Sequence, residues 1–216
     1  MINQVNNKAA SRDPERSREA ILDAAEKLFA SKGYEETSLQ EIGQLAGVSR
    51  GTPNYFFGSK EQLYGTVLDR VILAEYEAVS QTLLPSAIAK LEAKERIAGA
   101  ISSFIDFLIA RPTFIQLIER EALNDARFLQ KRSAYLDFFN RELELVKTEL
   151  ATGSYRSLDP VQLLLSITAL CWFPLAHTNT FLQPLGIRAS DTLFWEQRKQ
   201  HIIELILYGI LETKTP

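Results

Sequence analysis

The strongest constraint on the fold is a dense series of helix start and stop signals between residues 13 and 64. Asp13-Pro14 is a helix N-cap followed by proline at the first helical position. Gly33, Gly47 and Gly58 stand where three successive helices are expected to end. Apolar residues recur at helical spacing along the chain, and no stretch alternates apolar and polar residues as a strand would. The sequence therefore predicts an all-α fold.

Three short helices and one long helix are predicted in this segment. Ser38-Leu39-Gln40-Glu41 is a capping box that starts the second helix, and Ser49 is the predicted cap of the third. Ser59-Lys60-Glu61-Gln62 is another capping box, and it opens a long fourth helix that runs to about Leu84. The second and third helices, joined at Gly47, have the spacing of a helix-turn-helix.

The third helix of this motif is the candidate DNA-reading element. Its N-terminal end carries polar and small residues, and in a helix-turn-helix this end faces the base edges of the major groove. Arginine, asparagine and threonine suit guanine, adenine and the thymine methyl group, respectively. Helix caps, hydroxyls and cations suit phosphates. The predicted DNA contacts are Thr37, Ser38, Gln40, Arg50, Gly51, Thr52, Asn54, Tyr55 and Lys60.

Each of these residues also has a purely structural interpretation. Arg50, Thr52, Asn54 and Tyr55 are then ordinary helix-surface residues, and Lys60 is a solvated lysine in a first helical turn. The overall charge gives no help, since 24 Lys+Arg against 27 Asp+Glu leave a net charge of −3. This balance excludes a protein that coats nucleic acid by bulk positive charge, so DNA binding has to be local.

The helices after Pro85 are longer and rich in aromatic residues. Such side chains usually form an ordinary core, but together they also suit an apolar pocket between helices. Pro174 is expected to kink its helix and free the carbonyl near Leu170. For His177, a satisfied core or interface histidine is the competing interpretation. The candidate ligand-binding residues are Phe104, Phe107, Phe114, Tyr135, Phe139, Trp172 and His177.

The last helix is apolar over more than half of its circumference. A helix of this kind has to be buried on two sides, and its own domain supplies only one of them. A second copy of the chain, related by two-fold symmetry, is expected to supply the other. The candidate dimer-interface residues are Leu165, Phe173, Ile202, Leu205, Ile206 and Ile210.

The segment Ile21–Tyr64, ILDAAEKLFASKGYEETSLQEIGQLAGVSRGTPNYFFGSKEQLY, resembles the TetR family of transcriptional regulators. The resemblance rests on the A-x-x-L-F-x-x-x-G-Y, T-S-x-x-x-I, A-G-V-S and F-x-S-K-E-x-L-Y motifs. It implies an all-helical homodimer whose C-terminal domain binds a small effector and whose last two helices pair with those of the partner. Pro53, Asn54 and Phe56 depart from the usual family pattern in helix three, so we expect an altered operator preference.

The resemblance and the helix pattern together predict three segments. We expect a disordered N-terminal arm at 1–12, a helix-turn-helix DNA-binding domain at 13–60 and a helical ligand-binding and dimerisation domain at 61–216. One cysteine and two histidines give no disulfide framework and no metal motif, so we predict no metal and no cofactor. The polar N-terminus and the lack of a long apolar run predict a cytoplasmic protein without a membrane partner.

The leading hypothesis is a TetR-type regulator that acts as a repressor, although the sequence itself does not decide between repression and activation. It binds a near-palindromic double-stranded DNA operator as a homodimer, and an unidentified small-molecule effector releases it. One alternative is a helical adaptor without sequence-specific DNA binding, motivated by Pro53, Asn54 and Phe56. The other alternative, an all-helical enzyme, lacks a clustered nucleophile, base or carboxylate pair, and no catalytic residue is predicted.

Overall fold

The fold is known from a computed structural model, which describes residues 13–81, 91–152 and 155–210. The described residues form helices and no strand, which confirms the predicted all-α class. Two compact units meet between Val67 and Leu68, within the fourth helix. The helices are α1 (Pro14–Lys32), α2 (Leu39–Leu45), α3 (Thr52–Phe57), α4 (Lys60–Ser80), α5 (Ala93–Ala110), α6 (Pro112–Ala122), α7 (Ser133–Leu150), α8 (Pro160–Ala176) and α9 (Thr192–Ile210).

The N-terminal unit consists of α1, α2, α3 and the first turns of α4. Asp13 caps α1, and Ser38 and Glu41 form the predicted capping box of α2. Hydrogen bonds from Lys32 and from Ser38 lower the pKa of the Glu41 carboxyl to about 2, so this box stays ionised at neutral pH. The unit closes around one apolar core, formed by Ile21, Leu22, Phe29, Ile42, Phe57, Leu63, Tyr64 and Val67.

The third helix begins later than the sequence suggests. Its N-cap is Gly51, and Ser49 instead places its hydroxyl 2.7 Å from the hydroxyl of Thr52. Pro53 therefore occupies the second helical position, where the backbone N–H has no intrahelical partner in any case. Pro53 therefore costs no helical hydrogen bond.

The C-terminal unit is built around α8, which packs against α5, α6, α7 and α9. α5 also contacts α6 and α9. The helical pattern of the sequence predicts one helix from about Asp125 to Ala151, but α7 begins only at Ser133, because Asp125 and Ala126 both adopt positive φ angles, 55° and 51°. The buried carboxylate of Glu121 accepts hydrogen bonds from the two backbone N–H groups that follow this turn, at 3.1 and 3.2 Å.

Two polar contacts secure the ends of α7 and α8. Arg96 on α5 donates two hydrogen bonds to the carboxylate of Glu149 near the end of α7, at 2.7 and 2.9 Å, and Tyr155 also bonds to Glu149. Pro174 frees the carbonyl of Leu170, as predicted, and the Arg198 guanidinium donates to that oxygen at 3.1 Å. These contacts satisfy buried polar groups that would otherwise destabilise the unit.

Neither a single membrane-spanning helix nor a metal-binding cluster occurs among the described residues. No single helix there is long and apolar enough to cross a membrane, although two pairs reach that length and hydropathy when joined across bends of 87° and 71°. The described residues also hold no group of three or more His, Cys, Asp or Glu side chains placed to bind a metal ion.

Candidate DNA-contact surface and ligand cavity

The helix-turn-helix brings α2 and α3 into close contact at Gly43. A Cβ atom at this position would lie 3.3 Å from the Ser49 carbonyl oxygen and 3.4 Å from Cγ of Pro53. Gly43 and Pro53 are both buried, so the proline ring fills the space that a side chain on α2 would need. Gly47 has a φ of 66°, which lets the chain turn sharply between the two helices. This packing fixes the direction in which α3 presents its outer face.

The outer face of α3 carries most of the predicted base contacts. Arg50, Gly51, Asn54 and Tyr55 are exposed, and the Tyr55 side chain is 83 % accessible. Thr52 is half-buried, and its hydroxyl is held by Ser49. An exposed tyrosine of this size beside an arginine and an asparagine is available to a partner and contributes little to the core. The structure therefore brings these side chains together on one accessible surface.

Thr37, Ser38 and Gln40 lie in different surroundings at the start of α2. Thr37 is 1 % exposed, and its hydroxyl donates to the carbonyls of Gly33 and Leu28 at 2.7 and 3.3 Å. It thus closes the turn between α1 and α2 and offers no hydroxyl to a phosphate in this conformation. Ser38 and Gln40 are exposed, and Ser38 remains the cap of α2.

The Lys60 side chain also contacts the turn between α1 and α2. Its ammonium donates to the backbone carbonyls of Tyr34, Glu35 and Thr37, at 2.9, 3.3 and 3.1 Å. It also lies 4.3 Å from the centroid of the Tyr34 ring, a cation–π distance. Since an ammonium has three N–H donors, the three carbonyls engage all of them. The structure assigns Lys60 to the turn between α1 and α2, a role that the sequence did not indicate.

A cavity of about 530 Å³ lies within the C-terminal unit. Five of the predicted ligand-binding residues line it, namely Phe104, Phe114, Tyr135, Phe139 and Trp172. The Phe114 and Trp172 rings meet edge to face with centroids 5.7 Å apart, and the Tyr135 and Phe139 rings do so at 5.1 Å. These aromatic side chains come from α5, α6, α7 and α8, so only the folded unit assembles them.

The two other predicted ligand-binding residues do not line this cavity. Phe107 is buried and packs edge to face on Phe114, with ring centroids 5.2 Å apart, and it does not line the cavity. His177 caps the end of α8 and packs on Phe173 at a centroid distance of 4.6 Å. A satisfied packing role therefore fits His177 better than a ligand contact.

Four glutamates also line the cavity, and the sequence gave no signal that singled them out. Glu75 on α4 is 3 % exposed, and Glu142 on α7 is half-buried. Burial, together with the neighbouring Glu142 charge, raises the pKa of Glu75 to about 9. Burial raises the pKa of Glu142 to about 7. Glu119 on α6 and Glu149 on α7 are the other two, whereas the lining residues from α5 and α8 carry no charge.

The predicted dimer residues fall into two groups. Leu165, Phe173 and Leu205 are exposed by 58 %, 46 % and 48 %. Ile202 and Ile206 are buried within their own unit, at 0 % and 6 % exposure, because they face the inner side of α9. They cannot reach a partner without repacking of this unit. The side chain of Ile210 lies outside the described residues.

The geometry of α2, the turn and α3 defines a helix-turn-helix DNA-binding protein. Residues 21–67 match the family described as "Bacterial regulatory proteins, tetR family". Residues 94–206 match the family described as "Tetracyclin repressor-like, C-terminal domain". The first match ends at Val67, where the N-terminal unit ends. The chain belongs to the tetR family and is a DNA-binding transcriptional regulator.

Relatives of similar length extend the match over most of the chain. The HTH-type transcriptional regulator RutR of Escherichia coli is 27 % identical over 93 % of this chain and 93 % of its own. The HTH-type transcriptional repressor NicS of Pseudomonas putida is 24 % identical over 91 % and 93 %. The ketosteroid transcriptional regulator KstR2 of Mycobacterium tuberculosis has the same fold, with a TM-score of 0.64, 18 % identity and coverage of 97 % and 98 %.

Replacement of Lys60 by methionine distinguishes a structural lysine from a phosphate contact. Each phosphate contact contributes about 0.9 to the slope of log affinity against log salt concentration on duplex DNA. Because the ammonium is engaged by three carbonyls, we expect Lys60→Met to lower the melting temperature and to leave this slope unchanged. Gel shifts on the DNA upstream of the protein's own gene, repeated over a salt series, measure the slope. The exposed Lys27→Met variant is the control and should change neither quantity. A slope reduced by about one in Lys60→Met alone would contradict the structural role.

The buried carboxyls predict how the stability of the C-terminal unit depends on pH. A carboxyl that is protonated when folded and ionised when unfolded stabilises the folded state below its unfolded pKa, and this stability is lost as pH rises through the folded pKa. For Glu75 this window extends from about 4.5 to about 9. Since a difference of one bound proton changes the free energy of unfolding by about 1.4 kcal/mol per pH unit, we expect this free energy to fall by about 3 kcal/mol between pH 6 and pH 8.

Urea denaturation followed by tryptophan fluorescence measures this effect, since Trp172 and Trp195 both belong to the C-terminal unit. Glu75→Gln should reduce the pH dependence, and the exposed Glu144→Gln variant should retain it. Equal slopes in all three proteins would show that Glu75 is ionised in the folded state. All proteins are compared at one concentration, because self-association shifts apparent stability.

Proposed function

We propose that this protein is a dimeric repressor that binds a near-palindromic operator and is released from it by a small-molecule effector. The observation that carries the proposal is the accessible surface of α3 on one compact unit, combined with a ligand-sized cavity in the other. NicS, which matches over 91 % of this chain, is named as a transcriptional repressor, and this supports repression over activation.

The DNA-contact surface consists of Arg50, Gly51, Thr52, Asn54 and Tyr55. Arg50 and Asn54 are free to reach base edges in the major groove, and Gly51 lets the backbone come close to the DNA. Ser38 and Gln40, at the exposed N-terminus of α2, lie where a helix end suits a phosphate. Thr37 and Lys60 act through the turn that positions this end of α2, and not through DNA.

The dimer contact consists of exposed apolar side chains on two helices that pack on each other, α8 and α9. Leu165, Phe173, Leu205 and Tyr208 expose between 46 % and 86 % of their surface. Exposed apolar patches on helices commonly mark association sites. A two-fold axis through this face buries the same side chains on both subunits. It also provides two α3 helices for two successive major grooves, about 34–36 Å apart.

The cavity is the proposed binding site of the effector. Its volume of about 530 Å³ falls within the range of small-molecule sites, and most of its lining is apolar or aromatic. α4 contributes to the cores of both units, so a change at the cavity has a continuous route to the N-terminal unit. An effector releases the operator only to the extent that it binds the released conformation more tightly.

Truncation of Tyr55 tests the DNA-contact surface. Tyr55 is 83 % exposed, so we expect Tyr55→Ala to change the free energy of unfolding by less than about 0.5 kcal/mol. Operator affinity in gel shifts should fall about tenfold or more, through loss of a contact of at least 1.4 kcal/mol. Phe57→Ala, at a buried position of the same helix, is the matched comparison and should destabilise the unit by about 3–5 kcal/mol. Unchanged operator binding by a folded Tyr55→Ala protein would show that Tyr55 makes no DNA contact, whereas the adaptor hypothesis requires that the wild type itself does not bind the operator.

Charge placed on the exposed face of α8 and α9 tests the dimer. The double variant Phe173→Glu and Leu205→Glu should halve the mass measured by sedimentation, because an association would have to bury four carboxylates. Loss of the second helix-turn-helix from the complex should weaken operator binding by about 100-fold or more. Leu123→Glu, at a position 84 % exposed outside this face, should remain dimeric and bind normally.

A footprint on the upstream DNA tests the proposed operator symmetry. Two protected half-sites one helical turn apart are expected from the wild-type dimer. A single protected half-site would contradict the two-fold arrangement, even if Tyr55→Ala abolishes binding. Repression itself is measured with a reporter gene under the same upstream DNA, which should be more active in a strain that lacks the protein.

A further inference from the structure

The cavity contains two carboxyl groups that have buried oxygen atoms without a partner. Glu75 is 3 % exposed, and its Oε2 atom accepts no hydrogen bond from any described residue. Oε1 of Glu142 is buried and unpartnered in the same sense. Both side chains line the cavity. A buried carboxyl oxygen without a donor is costly, and such groups are rare unless a ligand or an ion completes them.

The other charged groups of the cavity do not supply the missing partner. Glu149 is held by Arg96, whose guanidinium donates to both carboxylate oxygens. Glu119 accepts a hydrogen bond from the indole N–H of Trp172 at 2.6 Å. None of the described lining residues is Lys, Arg or His. Glu75 and Glu142 are therefore acidic groups in an apolar site whose described lining offers them no cation.

The walls of the cavity suit the same ligand chemistry as its carboxyls. Phe104, Phe114, Tyr135, Phe139 and Trp172 provide aromatic faces and edges around the space. Aromatic faces attract cations, and the attraction strengthens where water is excluded. An anionic ligand would instead meet carboxyl groups and no basic side chain among the described lining residues. Burial of a carboxylate ligand here would be opposed by both repulsion and desolvation.

We propose that the cavity binds an organic cation, an amine or quaternary ammonium on an apolar skeleton, with Glu75 and Glu142 as its counter-ions. This inference rests on the proposed function, because it names the charge of the effector that the regulator senses. Glu75 approaches from α4 and Glu142 from α7, so the cation is held between two helices. α4 is also the helix that the two compact units share.

The protonation states of Glu75 and Glu142 in the empty cavity are consistent with this role. They also make the pH dependence of cation binding a second property that can be measured. Burial raises the pKa of Glu75 to about 9 and that of Glu142 to about 7, so at neutral pH the empty site holds at least one proton. A bound cation favours the ionised carboxylate. Binding should therefore release a proton, and affinity for a permanent cation should rise with pH until Glu75 is ionised without it.

The decisive experiment compares two probes of equal shape and different charge. Benzyltrimethylammonium is a permanent cation, and neopentylbenzene is its uncharged carbon isostere. In a purely apolar cavity the uncharged isostere binds more tightly, because the cation loses its favourable hydration on binding. We expect calorimetric titration of the free wild-type protein at about pH 8 to show at least tenfold tighter binding of the cation.

Two conservative variants connect this preference to the carboxyls. Glu75→Gln and Glu142→Gln retain the shape of each side chain and remove its charge. Each should reduce the ratio of cation to isostere affinity by about tenfold, and the isostere alone should bind the variants as it binds the wild type. Glu144→Gln removes an exposed charge from the same helix as Glu142 and should leave the ratio unchanged. Binding of the isostere also shows that each variant retains a folded cavity.

Each result supports or overturns the proposal. A cation preference that disappears in Glu75→Gln supports it, as does an affinity for the cation that rises between about pH 6 and pH 8. Equal or tighter binding of the isostere by the wild type overturns it and favours a neutral ligand that accepts a hydrogen bond from protonated Glu75. Failure of the cation to bind at about 10 mM overturns it as well.

The proposed function fails in a different way. A cation that binds with the expected preference in calorimetry and leaves operator binding unchanged in gel shifts would contradict its role as an effector. The cation site would stand in that case, because the titrations use the protein without DNA. Conversely, if only a neutral ligand released the protein from its operator, the proposed regulatory function would stand and the cation proposal would fail.

Discussion

The contact between Pro53 and the backbone of α2 at Gly43 fixes the direction of α3 and thus of its outer face, the candidate DNA-contact surface. A helix of six residues is too short to be stable alone, so α3 depends on tertiary packing for both its conformation and its direction. Pro53 and Phe57 provide this packing on the inner face, and Gly43 leaves the space that the proline ring occupies. The exposed positions of Arg50, Asn54 and Tyr55 follow from the burial of these neighbours.

The turn between α1 and α2 engages the lysine that the sequence singled out as a phosphate contact. A lysine at the start of α4 is an obvious phosphate contact from the sequence, yet its ammonium binds the carbonyls of Tyr34, Glu35 and Thr37. The helix N-terminus at Ser38 depends on the turn that Lys60 and Thr37 hold together. A net charge of −3 is compatible with DNA binding because helix ends and exposed side chains of α3 require no large positive excess.

The cavity combines a cost in stability with a capacity for selective binding. Buried carboxyls without a partner weaken the empty unit as pH rises, since their ionised forms lack water and counter-charge. A ligand that supplies the counter-charge recovers this free energy, so the ligand stabilises one conformation of the unit.

Cys171 behaves differently, because burial raises the pKa of its thiol to about 12 and leaves it as a small packing residue.

Local patterns in the sequence were sufficient for the fold class and for the choice of exposed positions around α3. The capping box at Ser38 and the caps at Asp13 and Asp159 set helix starts through short-range hydrogen bonds, which sequence spacing encodes directly. The start of α7 was missed, because the positive φ angles of Asp125 and Ala126 have no strong signature in these residue types.

Contacts between distant segments were decided only by the tertiary structure. The sequence identified aromatic residues in the C-terminal region, but could not show that Phe104 lines the cavity whereas Phe107 and His177 do not. It did not separate Leu205, which is exposed, from Ile202 and Ile206, which are buried. Above all, Glu75 and Glu142 lie on helices far apart in the chain, and each alone resembles an ordinary surface glutamate. Their burial beside one cavity depends on how α4 and α7 pack, and helical periodicity specifies a face without specifying the partner that covers it.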